Sequence, residues 1–125
     1  MVVTVLVVDD QAPFRVAAGA VVRRAEGFEL IGQASSGEEG VALAGELAPD
    51  LVLMDINMPG INGIEATRRI VTAAPGTTVF LCSTYARSDL PPEAATSGAR
   101  AYVNKEELGP DVLGRLWAGR DGAFQ

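Results

Sequence analysis

Three aspartates and one lysine each stand at or just beyond the end of an apolar run of the sequence: Asp9, Asp10, Asp55 and Lys105. Burial penalises the charged form of a carboxylate, so an acid at the end of a buried segment needs a partner that compensates its charge. Mg²⁺, which prefers oxygen ligands, is one such partner, and the ammonium group of a lysine is another. Together these residue types favour transfer of a phosphoryl group onto a carboxylate, because a cation and a lysine neutralise the charge on that group.

A hydroxyl group belongs to the same set. Ser83 and Thr84 follow a further apolar run, and either side chain offers a hydrogen-bond donor. Each acid taken alone is typical of a turn or a helix cap, and Lys105, the only lysine of the chain, is alone typical of a surface residue. Their joint position at the ends of four apolar runs favours a shared site instead.

The apolar runs alternate with amphipathic segments, which predicts five strands and up to five helices. Such alternation implies right-handed connections and a parallel sheet with helices on both faces. Ligands of such sheets bind beyond the carboxyl ends of the strands, so the polar residues above are expected to meet at one edge. The predicted strands are residues 2–8, 28–34, 51–54, 77–82 and 101–103, and the predicted helices are residues 13–25, a segment that opens at 35–39, residues 64–73, a short segment from 92 and a segment from 110.

Local signals define several helix ends. Ser36 and Glu39 have the spacing of a capping box at the start of the second helix, and Pro110 suits the first turn of the last one. Pro91 and Pro92 fall where the fourth helix is expected. Because proline inside a helix costs about 3 kcal/mol, this helix is expected to start at or after Pro92 and to last for about two turns.

Length and charge limit the classes of function. The 125 residues carry a net charge of −6 and fit one domain with a single sizeable core. An acidic chain does not suit direct binding of nucleic acid, which normally requires a basic face. The apolar start lacks the basic residues of a signal peptide and no run reaches membrane-spanning length, so we expect a cytoplasmic protein without membrane contact. The single Cys82 excludes an internal disulfide bond and is expected to be buried and inert.

Four segments resemble the receiver domain of bacterial two-component response regulators, over nearly the whole chain. They read VLVVDDQ at 5–11, DLVLMDINMPGINGIEATRRI at 50–70, VFLCSTYA at 79–86 and SGARAYVNKEEL at 97–108. The resemblance implies a flavodoxin-like, doubly wound α/β fold with a five-stranded parallel sheet of order 2-1-3-4-5 and five helices. It assigns residues 1–118 to the receiver domain and leaves residues 119–125 as a C-terminal tail or the start of a linker.

The resemblance implies a role for each residue that would contact the phosphoryl group. Asp55 is the expected phosphoryl acceptor, and Lys105 is the expected cationic partner of the transferred group. Ser83 is the expected switch hydroxyl, with Thr84 as the less suitable alternative. Tyr102 is the expected aromatic switch of the fifth strand.

The metal site and the tuning of phosphoryl lifetime are implied in the same way. The resemblance implies Mg²⁺ as the cofactor, bound directly by Asp10 and Asp55 and through water by Asp9. The backbone carbonyl of Asn57 is expected to complete the protein ligands. Asn57 and Tyr85 also flank the approach of the water that removes the phosphoryl group, and we expect Tyr85 to shield that group.

In this family a sensor histidine kinase donates the phosphoryl group, so we expect a signalling switch and not an enzyme, with at most weak self-dephosphorylation. Ser83 is expected to move toward the phosphorylated Asp55, Tyr102 to rotate inward, and the face formed by the fourth helix, fifth strand and fifth helix to repack. The output is a change in partner affinity, with a homodimer formed on phosphorylation as one form of it. The choice of kinase is expected to rest on an exposed face of the first helix that comprises Phe14, Arg15, Ala18 and Val22.

The chain departs from the family pattern at two positions outside the proline pair. Asn62 replaces an acidic turn residue, with little expected consequence because asparagine supports the same turn. Glu106 replaces the proline that commonly follows the lysine, so the Lys105–Glu106 bond is expected to be trans. This second feature resembles the subgroup of receivers fused to helix-turn-helix output domains. We therefore expect control of transcription through an effector domain absent here, with a stand-alone receiver that acts through protein–protein contacts as the alternative.

Rival classes lack features that their chemistry requires. A haloacid-dehalogenase-like phosphatase uses an aspartate nucleophile on a similar sheet but needs a second acid where Asn57 stands. A flavodoxin-like cofactor binder needs a hydroxyl- and glycine-rich phosphate loop where Asp9 and Asp10 stand, and these acids would repel phosphate. A degenerate receiver that serves only as an interaction module would not be expected to keep all of these site residues.

Overall fold

The apolar runs form one parallel sheet in the computed structural model, which describes residues 2–125. In chain order the strands are β1 (Val3–Val8), β2 (Phe28–Ala34), β3 (Leu51–Asp55), β4 (Thr78–Ser83) and β5 (Ala101–Asn104). All neighbouring strands pair in parallel, in the order β2-β1-β3-β4-β5. The predicted strand order is confirmed, and β3, β4 and β5 each extend one residue further toward the polar edge than the apolar runs indicated.

Four α-helices cover the sheet within the part of the chain that the structure describes: α1 (Ala12–Arg24), α2 (Gly37–Leu47), α3 (Gly63–Ala73) and α4 (Pro110–Ala118). In the same residues 2–125, no helix has both the length and the apolar character that crossing a membrane requires.

Side-chain caps start α2 and α3. Ser36 accepts a hydrogen bond from the backbone N–H of Glu39 at 3.0 Å, as the capping box predicted. The carboxylate of Glu39 accepts from the backbone N–H of Ser35 at 2.6 Å, one residue before the position that a standard capping box uses. Asn62 caps α3 by accepting from the backbone N–H of Glu65 at 2.9 Å, so the asparagine serves the turn as expected.

The predicted fourth helix between β4 and β5 does not form. The chain instead makes two short 3₁₀ turns at Arg87–Asp89 and Pro92–Ala94. Pro92 does open the second turn, but only five residues separate it from Gly98, whose φ of +99° ends any helical course. The expectation of five helices is therefore wrong, because the proline pair and this glycine leave too little chain for α-helical turns.

The core lies on both faces of the sheet, with alternate strand residues pointing to opposite sides. Val52, Met54 and Leu81 pack on the face covered by α2 and α3, while Leu53 and Phe80 pack on the face covered by α1 and α4. Cys82 lies in the second of these layers and is buried, as expected. Burial raises the pKa of its thiol to about 12, which keeps the thiol protonated and inert.

The face that α1 presents to solvent differs from the predicted one. Ala18 and Val22 are fully buried against the sheet, so they are not part of an exposed face. Val16, in contrast, is 69% exposed. The expectation of a kinase-reading face that includes Ala18 and Val22 is therefore wrong.

The segment after α4 folds back onto the domain. The guanidinium of Arg100 donates to the carbonyl of Arg120 at 2.5 Å, and the backbone N–H of Gln125 donates to the carbonyl of Arg100 at 3.0 Å. Phe124 packs against the core layer beneath α2 and α3, with the Arg87 guanidinium 5.7 Å from its ring centroid. Residues of the segment 119–125, expected to be a tail or the start of a linker, therefore contact the domain next to β5.

Close contacts fix both ends of β3, the central strand of the sheet. At its start, the Asp50 carboxylate accepts from the backbone N–H of Thr4 at 2.9 Å, and the Thr4 hydroxyl accepts from the backbone N–H of Asp50 at 3.0 Å. At its end, the N–H of Gly63 donates to the carbonyl of Ile56 at 2.8 Å. A β-carbon at Gly63 would overlap the backbone oxygen of Asp55, so only glycine permits this approach.

We expect Gly63→Ala to destabilise the domain by about 2 kcal/mol, because the added methyl group must displace the carbonyl at the end of β3. Equilibrium unfolding in urea measures this change. Gly45→Ala in α2 is the matched control, since a β-carbon there meets no atom within 4 Å. This control is expected to gain about 0.5–1 kcal/mol from helix propensity. Equal stability of Gly63→Ala and the wild type would contradict the close approach.

Candidate functional site

The polar edge of the sheet brings two buried carboxylates together. Val8 of β1 pairs with Met54 of β3, so the next residues, Asp9 and Asp55, lie side by side where the two strands end. Asp9 is 0% exposed and Asp55 is 5% exposed, while the adjacent Asp10 is exposed. The parallel register therefore places charged groups in an environment with little water, which raises the free energy of their ionised forms.

Lys105 compensates these charges. Its Nζ lies 2.7 Å from Asp9 Oδ2 and 3.3 Å from Asp55 Oδ1. The backbone N–H of Lys105 donates to the carbonyl of Ser83 at 2.8 Å, which ties the start of the lysine to the end of β4. The ammonium group thus bridges acids at the ends of two strands, and the sequence-predicted residues Asp9, Asp55 and Lys105 do meet in space.

The pKa values of this cluster record the balance of burial and charge. Burial raises the pKa of Asp55 from 3.8 to about 6, the charge of Asp9 raises it further, and Lys105 opposes both. For Lys105, burial lowers the pKa, but its contact with Asp9 and the charge of Asp55 outweigh burial, and its pKa lies above 10.5. The lysine therefore remains a cation, whereas Asp55 is a carboxylate whose charge is only partly compensated.

The acids fit a hard divalent cation. Asp9, Asp10 and Asp55 each offer a carboxylate oxygen, and these oxygens lie within 4.8 Å of one another. Asp9 Oδ2 is buried and accepts no hydrogen bond of good geometry, although Lys105 Nζ lies nearby. An all-oxygen donor set with surplus negative charge is typical of Mg²⁺ sites. Asn57 lies two residues beyond Asp55, in the loop that leads to α3, and its side chain is exposed.

The two candidate switch hydroxyls differ in their surroundings. Ser83 is the last residue of β4, is 3% exposed and pairs with Asn104 of β5. Its Oγ accepts a long hydrogen bond of 3.4 Å from the backbone N–H of Tyr85. Thr84 is exposed to solvent. Ser83 is therefore the hydroxyl that shares the buried end of the sheet with Asp55.

Tyr102 already points into the molecule. It is 4% exposed, and its hydroxyl lies 2.5 Å from the carbonyl oxygen of Tyr85 and 3.0 Å from that of Ser83. Burial raises the pKa of this hydroxyl, so it stays a protonated donor. The Tyr102 side chain thus already has the inward position that the expected rotation would produce. Carbonyl groups at the end of β4 and in the loop after it hold the side chain there.

Tyr85 closes the loop side of the site through a contact that spacing did not reveal. Its hydroxyl accepts a hydrogen bond from the side-chain amide of Asn57 at 2.9 Å. The carbonyl of Tyr85 also accepts from the Asn104 amide at 3.0 Å. The two residues expected to flank the approach of water to Asp55 are therefore joined directly.

Two residues of α1 belong to this site and were assigned elsewhere from the sequence. The Arg15 guanidinium donates to the backbone carbonyl of Asp9 at 2.7 Å. The ring of Phe14 lies against Lys105, with Nζ 4.4 Å from the ring centroid. Both residues lie close to the acid pair in the sequence, and this closeness could have assigned them to the site. The partner of Phe14 stands more than ninety residues away, however, and no local pattern identifies it.

Comparison with known proteins gives consistent results. The family model of the response regulator receiver domain matches residues 5–115. Response regulator GacA of Pseudomonas aeruginosa is 39% identical over 103 residues, which are 82% of this chain and 48% of GacA. The chain therefore spans about half the length of this curated relative.

Solved structures share the whole fold. The response regulator domain of Thermotoga maritima CheB superposes with a TM-score of 0.86 at 30% identity, over 98% of each chain. A two-component response regulator of the LuxR family from Aurantimonas sp. gives a TM-score of 0.87 at 26% identity, over all of this chain and 90% of the other. Taken with the family match over most of its length, these similarities show that the chain belongs to the response regulator receiver domain family of two-component signalling systems.

Proposed function

We propose that this receiver domain is a signalling switch that accepts a phosphoryl group on Asp55 from a sensor histidine kinase. The observation that carries the proposal is the position of Lys105, whose ammonium lies 3.3 Å from a buried carboxylate at the end of β3. That carboxylate has a pKa of about 6 and so ionises at neutral pH. A partly compensated carboxylate beside a fixed cation suits a nucleophile toward phosphorus.

The acids beside Asp55 support a role for Mg²⁺ in the same reaction. Asp10, Asp55 and the backbone carbonyl of Asn57 would hold the ion directly, and Asp9 would contact it through water. When bound, Mg²⁺ supplies positive charge that neutralises the oxygens of the phosphoryl group. Lys105 would donate to another of these oxygens, and Ser83 would supply a hydroxyl donor from the end of β4.

In the transfer, a bond forms between Asp55 and phosphorus while the bond between phosphorus and the donor nitrogen breaks. The product carries about one more negative charge than the carboxylate, together with additional acceptor oxygens. Ser83 is placed to respond because it is buried at the neighbouring strand end, and its carbonyl lies 3.0 Å from the Tyr102 hydroxyl. A shift of Ser83 would therefore reach β5 through Tyr102, and the face formed by the β4–β5 connection, β5 and α4 would repack.

The kind of relatives supports a proposal for the downstream output. The chain resembles GacA and a LuxR-family regulator and spans about half the length of GacA. We infer that phosphorylation controls transcription through an effector region, with homodimer formation as one way to transmit the change. A stand-alone receiver that binds other proteins is the second candidate. Residues 1–125 carry a net charge of −6, which does not favour direct contact with nucleic acid by this part.

Incubation with acetyl phosphate and Mg²⁺ is expected to add one phosphoryl group to the wild type, as measured by intact-protein mass spectrometry. Asp55→Asn is expected to gain none, because the amide cannot act as the nucleophile. Asp111→Asn, a change of an exposed aspartate on α4, is the matched control and is expected to react like the wild type. A gain of mass in Asp55→Asn equal to that of the wild type would contradict the assignment of the acceptor.

Tyr85 is expected to lengthen the lifetime of the phosphoryl group. Tyr85→Ala removes both the ring and its hydrogen bond with Asn57, and we expect phosphoryl loss to become about two- to tenfold faster, the range that one hydrogen bond and some shielding supply. The decay of the phosphorylated mass over time measures this rate. Tyr85→Phe keeps the ring and separates shielding from the hydrogen bond. An unchanged decay in both variants would exclude the role.

The raised pKa of Asp55 predicts a pH-dependent stability without divalent cations. A folded-state pKa of about 6, against 3.8 for the unfolded chain, means that the folded state binds more protons between these values. Stability is therefore expected to fall as pH rises from 4 to 6. Asp55→Asn removes this loss, so at pH 7 it is expected to be more stable than the wild type by on the order of 2 kcal/mol.

Urea unfolding at pH 4 and pH 7 in the presence of a chelator measures this effect. The difference between the two proteins is expected to vanish near pH 4. Added Mg²⁺ is expected to narrow the difference at pH 7, because the ion stabilises the ionised carboxylates of the wild type. If the wild type is more stable than Asp55→Asn at pH 7 with the chelator, the prediction is wrong. Lys105 would then stabilise the charged Asp55 by more than burial destabilises it.

A further inference from the structure

Lys105 has a neighbour besides the two carboxylates. Its Nζ lies 4.4 Å from the centroid of the Phe14 ring, within the range of a cation–π contact. Asp9 Oδ2 and Asp55 Oδ1 lie 2.7 and 3.3 Å from the same atom. Three groups, one just after β1, one in β3 and one in α1, therefore surround the ammonium at the end of a side chain with four rotatable bonds.

The position of the Phe14 ring is set by the site itself. Asp9 Oδ1 accepts from the backbone N–H of Gln11 at 2.8 Å, and the carbonyl of Gln11 accepts from the N–H of Phe14 at 3.1 Å. Pro13 restricts the backbone in this first turn of α1. The ring also packs against the core layer shared by α1 and α4. The carboxylate that pairs with Lys105 thus also anchors the turn that carries the ring.

A lysine at this place needs such a support. The ammonium is a compact, strongly hydrated charge on a flexible stem, and it lies closer to Asp9 than to Asp55. When negative charge moves from Asp55 outward onto a phosphoryl group, Lys105 must keep its place near Asp55 and not turn toward solvent. An aromatic face attracts the cation and excludes water, yet it has no oxygen that would take an N–H from the phosphoryl group.

We propose that Phe14 is a positioning residue for Lys105, whose ring holds the ammonium beside Asp55 during phosphoryl transfer. This role rests on the proposed function of Asp55 as acceptor. It also gives Phe14 a different task from the kinase-reading face that its position on the first helix suggested.

The contact itself is measurable without any phosphorylation. Lys105 is the only lysine, so protein made with ¹³C-labelled lysine gives one set of side-chain NMR signals. The ring current of Phe14 is expected to shift the ε-methylene protons upfield. Phe14→Leu is expected to return them toward the values of free lysine, and Phe14→Tyr to keep the shift. Phe28→Leu is the matched control, because Phe28 packs against Trp117 in the same core layer.

The functional test is the rate of phosphorylation by acetyl phosphate with Mg²⁺, followed by intact mass. Phe14→Leu is expected to react about three- to tenfold more slowly than the wild type, a change in the range of one partly desolvated cation–π contact. Phe14→Tyr is expected to restore the rate. Phe28→Leu is expected to react like the wild type.

Each result decides the proposal. An unchanged rate in Phe14→Leu overturns it, and so does equal slowing in Phe14→Leu and Phe28→Leu, because that reflects general loss of packing. Lysine signals that do not differ between the wild type and Phe14→Leu overturn the contact on which it depends. A wild type that takes up no phosphoryl group overturns the proposed function of Asp55 and, with it, the role in transfer, while the lysine signals still report whether the ring holds the ammonium.

Discussion

The arrangement of this molecule depends on the cost of keeping Asp55 charged where β3 ends. Burial and the neighbouring Asp9 raise the pKa of this carboxyl to about 6, and Lys105 alone opposes them in the protein without bound ions. The cluster thus has more negative than positive charge in a region with little water. Such a cluster is stable only if the surrounding structure holds its side chains in place. An added cation lowers its free energy. The suitability of this cluster for a divalent ion and the incomplete compensation of the Asp55 charge have the same physical origin.

The sheet supplies the rigidity that this cluster requires. β1 and β3 are buried on both faces, so their ends cannot separate without loss of core packing, and the pairing of Val8 with Met54 fixes Asp9 beside Asp55. The approach of Gly63 to the carbonyl of Asp55 holds the following loop against the strand. On the other side, the Tyr102 hydroxyl lies against carbonyls of the loop after β4. Strand pairing and these close contacts therefore help to position the charged groups.

Sequence patterns predicted the parts of this structure that local chemistry determines. The five strands, the cap at Ser36, the turn at Asn62 and the meeting of the acids with Lys105 follow from apolar runs, turn residues and the geometry of parallel sheets. The features that the patterns did not reveal are long-range contacts. The side of α1 that faces the sheet, the inward position of Tyr102 and the return of residues 119–125 onto Arg100 each depend on atoms distant in the chain. The missing fourth helix is a different case, because the effect of Pro92 was foreseen while the added effect of Gly98 was not.

The absence of that helix changes the energetics of the connection between β4 and β5. An α-helix at this place would satisfy its own backbone groups, whereas two 3₁₀ turns form fewer and poorer hydrogen bonds. Ala94 is the buried anchor of the second turn, and the first turn has no buried residue. Arg87, in the first turn, instead donates to the carbonyl of Tyr102 at 3.3 Å and lies over the ring of Phe124. A movement of this connection therefore disrupts few hydrogen bonds of its own but necessarily alters contacts with both β5 and the segment after α4. The contacts that such a movement would change therefore lie between Ser83, at the end of β4, and the last residues of the chain.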